Sequence, residues 1–169
     1  IIDSKDLTFI GSPIPDFTFG FTNNLRYRNI DLSVFLQGSY GAEIYNFMKW
    51  QLERMNNVYY NQSTAVMDRY TADNTDGVLP RFSNTNTNNT AMSDRYVEDG
   101  SYVRVQNITL GYRLPKTLVN KVKMNSLRVY VSVQNLYTFT NYSGYDPEVG
   151  SYNNSIRLMS VDAGHYPNP

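Results

Sequence analysis

The stretch Phe17 to Tyr40 reads FTFGFTNNLRYRNIDLSVFLQGSY, and its alternation decides the fold. On the first arm Phe17, Phe19, Phe21, Leu25 and Tyr27 hold odd positions, while Thr18, Gly20, Thr22, Asn24 and Arg26 fill even ones. On the second arm Ile30, Leu32, Val34, Leu36 and Tyr40 are even, and Asp31, Ser33, Gln37 and Ser39 are odd. Successive side chains of a strand leave on opposite faces, so a period of two over adjoining arms predicts a β-hairpin with one apolar face. The turn is expected at about Arg28-Asn29, where asparagine tolerates positive φ. A two-residue turn there sets Tyr27 against Ile30, Leu25 against Leu32, Phe21 against Leu36 and Arg26 against Asp31, the last an opposite-charge pair that helps to hold the register.

Two further strands carry the same signature. In LRVYVSVQNLYTF, Leu127, Val129, Val131, Val133, Tyr137 and Phe139 share one face, and Arg128, Tyr130, Ser132, Gln134 and Thr138 the other. From Tyr102 to Leu114, Ile108, Leu110, Tyr112 and Leu114 keep one phase while Val103 and Val105 keep the opposite one, which predicts a bulge near Gln106-Asn107. The strands are thus expected at about 17–27, 30–40, 102–114 and 127–139.

The connectors alternate in length. A tight turn joins the first pair and the compact PKTLVNKVKMNS joins the last pair, with Leu118 and Val122 spaced for a helical turn or two. Long segments, about 41–101 and 140–169, lie on the other side. Short on one side and long on the other is the pattern of outer-membrane barrels. Inside the first long segment Ile44, Phe47, Met48, Leu52 and Met55 recur at helical spacing, predicting one amphipathic helix over Glu43 to Asn56. Ser63 is placed to begin a second helix carrying Val66, Met67 and Tyr70. The polar run SNTNTNNT, Ser83 to Thr90, reads as a loop tip.

Composition excludes several classes. The 169 residues suffice for one domain with a core, and their formal net charge of zero argues against a nucleic-acid partner. No cysteine is present, so no disulfide framework or thiolate metal site exists, which suits a cytosolic or bacterial-envelope protein. The mean hydropathy of −0.48 and the lack of a long apolar run rule out a transmembrane helix but not alternating membrane strands. The start, IIDSKDLTFIG, has no signal-peptide pattern, so a mature protein or an internal piece is expected. Aromatic residues make up 14%, most of them tyrosine, a side chain suited to carbohydrate sites and membrane interfaces.

Catalytic constellations are thin. His165 is the only histidine, so a histidine-based metal cluster is out. Asp146 and Glu148 could be cast as a glycosidase acid and base, but such carboxylates face each other across a bond and usually lie far apart in sequence. Asp73, Asn74 and Asp76 before Gly77 resemble the start of a calcium loop that lacks its terminal glutamate, and read better as a turn. No phosphate-cradling glycine loop occurs; no cofactor and no enzymatic activity are expected.

The wording of the strands resembles a known family. GSPIPDFTFGF (Gly11 to Phe21), YRNIDLSVFLQGSYG (Tyr27 to Gly41), DGSYVRVQNITLGYRLP (Asp99 to Pro115), LRVYVSVQNLYTFTNYSGYDPEVG (Leu127 to Gly150) and the closing DAGHYPNP are similar to the C-terminal barrel region of SusC/RagA-type TonB-dependent outer-membrane transporters, as is RYTADNTDGVLPRF (Arg69 to Phe82). The resemblance implies an all-β fold: an antiparallel transmembrane β-barrel segment with long, partly helical extracellular loops, in the outer membrane of a Gram-negative bacterium. It implies import of oligosaccharides, peptides or similar bulky nutrients, with a SusD-like surface lipoprotein as lid and TonB as the energy source. The family's plug domain, TonB-contacting segment and final strand are not in this sequence, so a piece of a longer polypeptide is expected, with its outer strands paired to further segments. The alternative is a secreted or surface β-rich carbohydrate-binding module.

Under the barrel reading Phe17, Phe19, Phe21, Leu32, Val34, Leu36, Leu110, Val129, Val131 and Val133 face outer-membrane lipid. Tyr27 and Tyr112 mark the periplasmic girdle, and Tyr40, Tyr137 and Phe139 the outer one. At about 3.3 Å per residue an eleven-residue strand is roughly 36 Å long, and a tilt of about 45° brings its vertical reach to about 25 Å, the height of the apolar band. Trp50, Tyr59, Tyr60, Tyr142 and Tyr145 are the candidates for contact with substrate or lid.

Overall fold

The computed structural model describes residues 4–56, 59, 61–84 and 88–164. Val122 is described there by its backbone only. His165, Tyr60 and the closing Pro167-Asn168-Pro169 lie outside the described residues. Seven strands are present among these: β1 (Phe17–Tyr27), β2 (Ile30–Tyr40), β3 (Glu43–Asn46), β4 (Val97–Asp99), β5 (Tyr102–Arg113), β6 (Arg128–Thr140) and β7 (Val161–Asp162). The helices are α1 (Phe47–Glu53) and the short α2 (Lys116–Val119). The chain divides into two compact units, one built on Pro15–Ala42 with Gly100–Asn141, the other on Glu43–Asp99 with the segment from Tyr142 onward.

The first unit is a four-stranded antiparallel sheet in the order β1-β2-β5-β6. Its hairpin has the anticipated register, with Tyr27 against Ile30, Leu25 against Leu32 and Phe21 against Leu36. The turn differs in one respect. Arg28, not asparagine, takes positive φ, at 52°, and its guanidinium lies 5.3 Å from the centre of the Tyr27 ring, a contact that offsets part of the strain. The sheet does not close on itself, and β1 and β6 are its outer strands.

Reading across the strands gives rows of side chains on one face: Leu25, Leu32, Leu110 and Val131; then Tyr27, Ile30, Tyr112 and Val129; then Phe21, Leu36, Val105 and Tyr137. In the hairpin two side chains break the alternation. Asn23 sits on the apolar face opposite Val34, and its side-chain oxygen is buried without a hydrogen bond. Phe35 sits on the polar face and packs over Gly20, where an added Cβ would lie 3.4 Å from the ring.

The phase change in β5 is a bulge at Gln106, and it grows across the sheet. Between the same two rows β2 runs from Val34 to Leu36, β5 from Ile108 to Val105 and β6 from Val133 to Tyr137. Each outward strand carries one residue more. Asn135, at φ 49°, takes up the extra length in β6. Bulges of this kind raise the local twist and bend the sheet while returning the apolar residues to the same face.

The polar face is tied by side chains. Thr109 and Ser132 share a hydroxyl hydrogen bond of 2.8 Å, Thr109 donates to Asn107 at 2.9 Å, and Arg104 Nε donates to Thr138 at 2.9 Å. Asp31 does lie across from Arg26, but its ion pair is with Arg128, two strands away. Gly111 stands between the partners, and a Cβ there would come within 2.5 Å of the Arg128 guanidinium and 2.6 Å of the Asp31 carboxylate. The bare backbone lets the long arginine reach over a strand to a bidentate partner, a fork geometry that the directly opposed Arg26 does not make.

The second unit contains most of the buried apolar side chains among the described residues: Ile44, Met55, Val66, Leu79, Tyr96 and Tyr142. The single helix anticipated over Glu43 to Asn56 splits here. Glu43–Asn46 is strand β3, paired antiparallel with β4 and parallel with β7. Ile44, 1% exposed, and Asn46 point inward from alternate positions of that strand, so pairing overrides the helical spacing. Asn46 then caps α1 by accepting the Lys49 N–H at 2.9 Å, and Met55 at φ 60° follows the helix end. The second expected helix is only a 3-10 turn over Thr64–Asp68, capped by Ser63. It stops before Tyr70 because Tyr70 bonds Leu79 at 2.8 Å instead. Asn74, in the acidic stretch, closes a turn with Thr71 and Asp68. No group of three or more potential metal-ligating side chains occurs among the described residues.

Replacing Gly111 with valine should unseat Arg128 from Asp31 and lower the thermal unfolding temperature of the folded protein. In a double-mutant cycle, Gly111→Val and Asp31→Asn should be clearly less than additive, since both remove one contact. Full additivity would show that the ion pair does not depend on the glycine.

Candidate functional site

All ten apolar candidates of the sheet lie on one continuous face. That face is uncovered by its own unit: Leu25 is 60% exposed and Val131 67%. Aliphatic rows run through its middle and aromatic side chains gather at its ends. At one end Phe17 stacks on Tyr40 at 5.4 Å and Tyr137 meets Phe139 edge-on at 4.7 Å, and at the other stand Tyr27 and Tyr112. The opposite face carries the hydroxyls and amides described above together with Arg26, Asp31, Arg113 and Arg128.

The second unit holds two cavities. One, of about 330 Å³, is apolar and lined by Tyr45, Phe47, Trp50, Met92, Tyr152, Leu158 and Val161. Trp50 is fixed in its wall: its ring lies 5.1 Å from Phe47, Arg54 sits 4.2 Å above it, and its N–H donates to the Thr90 carbonyl at 2.9 Å. The Tyr45 hydroxyl is buried without a hydrogen bond, and burial pushes its pKa up to about 12.

The other cavity, of about 420 Å³, is lined by Asn46, Met48, Lys49, Leu52, Glu53, Ser63, Ser143, Gly144, Tyr145 and Asp162. Glu98 organises its polar side. It pairs with Lys49 at 3.0 Å and accepts from the Ser143 N–H and hydroxyl, each at 2.9 Å. Burial opposes ionisation of Glu98, but the bonds from Ser143 and Lys49 outweigh it and hold the carboxyl below its usual range. Asn46 donates to both Glu98 and Ser143, so the segment from Tyr142 is fastened to the insertion.

The five loop candidates have different places. Tyr142 is buried, and its hydroxyl donates to Asp162, itself 2% exposed, at 2.5 Å. Burial and then that bond push the phenol well above its ordinary value. Its role is in the interior, and Gly144 leaves room for its ring. Tyr145 is exposed on the wall of the larger cavity, Tyr59 is almost fully exposed, and Tyr60 lies outside the described residues. Sequence reasoning passed over Asn46, Lys49, Glu53, Glu98 and Ser143. Lys49 and Glu53 are the charged pair of one helix, while Asn46, Glu98 and Ser143 carry no local signal, because the partners come from three distant segments. Asp146 and Glu148 belong to one turn, with the Glu148 N–H bonded to Asp146 at 2.9 Å, and do not face each other across a cleft.

Tyr142→Phe should leave the buried Asp162 oxygen short of a donor and cost about 1–3 kcal/mol. Faster amide exchange over Tyr142–Asp162, with exchange in β1 and β2 unchanged, is the expected reading; unchanged exchange in both regions would contradict the assigned bond.

Comparison with known proteins gives a consistent result. No family model matches the chain. TonB-dependent receptor P3 of Formosa agariphila is 39% identical over 171 residues, covering 99% of this chain and 16% of the receptor. TonB-dependent receptor P26 of the same organism is 35% identical over 180 residues. TonB-dependent receptor SusC of Bacteroides thetaiotaomicron is 30% identical over 174 residues, 98% of this chain and 15% of SusC. Among solved structures, the RagAB peptide transporter matches 95% of this chain and 17% of its own with a TM-score of 0.79 and 25% identity. The chain therefore spans about a sixth of the length of the relatives it matches. These relatives are receptors and transporters, not enzymes. Matched along nearly its whole length in sequence and in fold, the chain belongs to the SusC/RagA-type TonB-dependent receptors.

Proposed function

We propose that the chain forms part of the wall and the outward loops of an outer-membrane transporter that imports bulky nutrients, oligosaccharides or peptides, in a TonB-dependent manner. The observation that carries this reading is the uncovered apolar face of the sheet, aliphatic in its middle and aromatic at both ends. An open sheet with such a face aggregates in water, whereas in lipid the same face is solvated and the aromatic rings sit at the headgroup level. Lipid tolerates strands only when every backbone group is paired, so the outer strands β1 and β6 meet further strands of a longer protein that closes the barrel.

In this reading Phe17, Phe19, Phe21, Leu32, Val34, Leu36, Leu110, Val129, Val131 and Val133 face the bilayer, and the polar face lines the lumen. The loop unit lies outside the cell. A SusD-like surface lipoprotein acts as its lid, by analogy with SusC and the RagAB peptide transporter. The carbohydrate-binding sandwich fits less well, since a sandwich covers the apolar face of one sheet with a second. Among the described residues of the sheet unit no second sheet is present.

Sidedness tests the reading. In the intact protein Val131→Arg should cost about 2–4 kcal/mol near the bilayer midplane, and the adjacent Ser132→Arg should be milder. The amount of folded, heat-modifiable barrel in outer membranes measures both. Equal losses would contradict the assignment of the faces.

A further inference from the structure

Glu53 stands on the wall of the larger loop cavity and is 8% exposed. Nothing in the fold of its unit accounts for a carboxylate there. Among the described residues it makes no hydrogen bond or ion pair, although Lys49 and Arg95 lie near enough to be felt. Lys49 is committed to Glu98, and Arg95 is exposed on its own turn. The remaining polar groups of the wall are satisfied internally: Asn46 by Lys49, Glu98 and Ser143; Ser143 by Glu98; Asp162 by Tyr142 and the Gly164 N–H. The side chain is largely buried while its carboxylate oxygens open to the cavity, so what the protein does not supply as a donor must come from the cavity itself.

We infer that this cavity is a subsite for the ammonium or guanidinium group of a peptide, with Glu53 as its counter-ion. Three observations choose a cation over a neutral hydroxyl. The carboxylates around the cavity, Glu53, Glu98 and Asp162, outnumber the cations Lys49 and Arg95. A neutral donor would satisfy the geometry of Glu53 but leave its charge without a paired counter-ion, whereas a cation answers both. Met48 and Leu52 line the same space and suit the methylene stem of a long basic side chain, while the exposed Tyr145 ring offers a π-face at the wall. Burial raises the pKa of the empty Glu53 carboxyl against the pull of Lys49 and Arg95, and a bound cation would lower it again. The source of the peptide rests on the importer reading, but the subsite itself does not.

The test uses the intact transporter, purified without its lipoprotein, and two short peptides blocked at both ends. One carries a single lysine and the other acetyl-lysine at the same place. Calorimetry should show the wild-type protein binding the lysine peptide about tenfold tighter, the worth of one charge-assisted hydrogen bond. In Glu53→Gln that preference should vanish, while Glu53→Asp should retain part of it. Equal binding of the two peptides by the wild type overturns the proposal without recourse to any variant. So does a preference that survives in a folded Glu53→Gln protein, or one that appears only when the lipoprotein is added. If the preference and its loss are observed but cells show no TonB-dependent peptide uptake, peptide import falls and the subsite stands.

Discussion

The structure turns on where an apolar sheet face can go. Four strands of eleven to thirteen residues pair without interruption except at one bulge, and one face carries aliphatic and aromatic side chains that its own unit leaves uncovered. In a water-soluble domain such a face packs on another layer, because area removed from water is the main favourable term in folding. Here the buried apolar side chains concentrate in the other unit, built from the long insertion and the tail. A sheet without its own core is stable when lipid replaces the missing layer. The requirement that lipid imposes, every backbone group paired, is met between neighbouring strands by the ladders and leaves only the outer edges of β1 and β6 to be paired.

Several details follow from that arrangement. The bulge lengthens successive strands at one height yet returns Val103 and Val105 to the apolar face, so the sheet bends there without turning its apolar rows over. The polar face, free of packing demands, holds a hydroxyl ladder and an arginine that crosses a strand over a bare glycine. The loop unit solves the opposite problem. It stands on a small core and on a carboxylate, Glu98, that ties the insertion to the tail, and among the described residues it leaves two cavities, one of them walled by the unpaired Glu53.

The strands and their register were legible because period two depends only on local alternation between an apolar and a polar face, which holds along most of each strand. The bulge was legible for the same reason, as a break in phase. The loop unit was not. Ile44 keeps both a helical and a strand-like spacing, and only its pairing with Val97–Asp99 and Val161–Asp162 decides between them. Asp31 took Arg128 rather than the facing Arg26 because a glycine on the neighbouring strand opened a path that no one-dimensional pattern records. The cavity escaped notice for a like reason: Asn46, Glu98 and Ser143 meet only through long-range contacts. Tyr142, by contrast, was singled out as an aromatic loop residue and proved to be interior, since composition cannot tell an exposed ring from one that donates to a buried aspartate.

The central claim is that the apolar face of the sheet meets lipid, and accessibility at two adjacent residues tests it most directly. Single spin labels at Leu110 and Thr109 would be placed in the intact protein, reconstituted in bilayers, and exposed in turn to oxygen and to a water-soluble nickel chelate. The account predicts that the label at 110 relaxes with oxygen and is shielded from nickel, while the label at 109 shows the weaker oxygen response of the lumen side. Two labels equally open to nickel and equally insensitive to lipid-dissolved oxygen would contradict it.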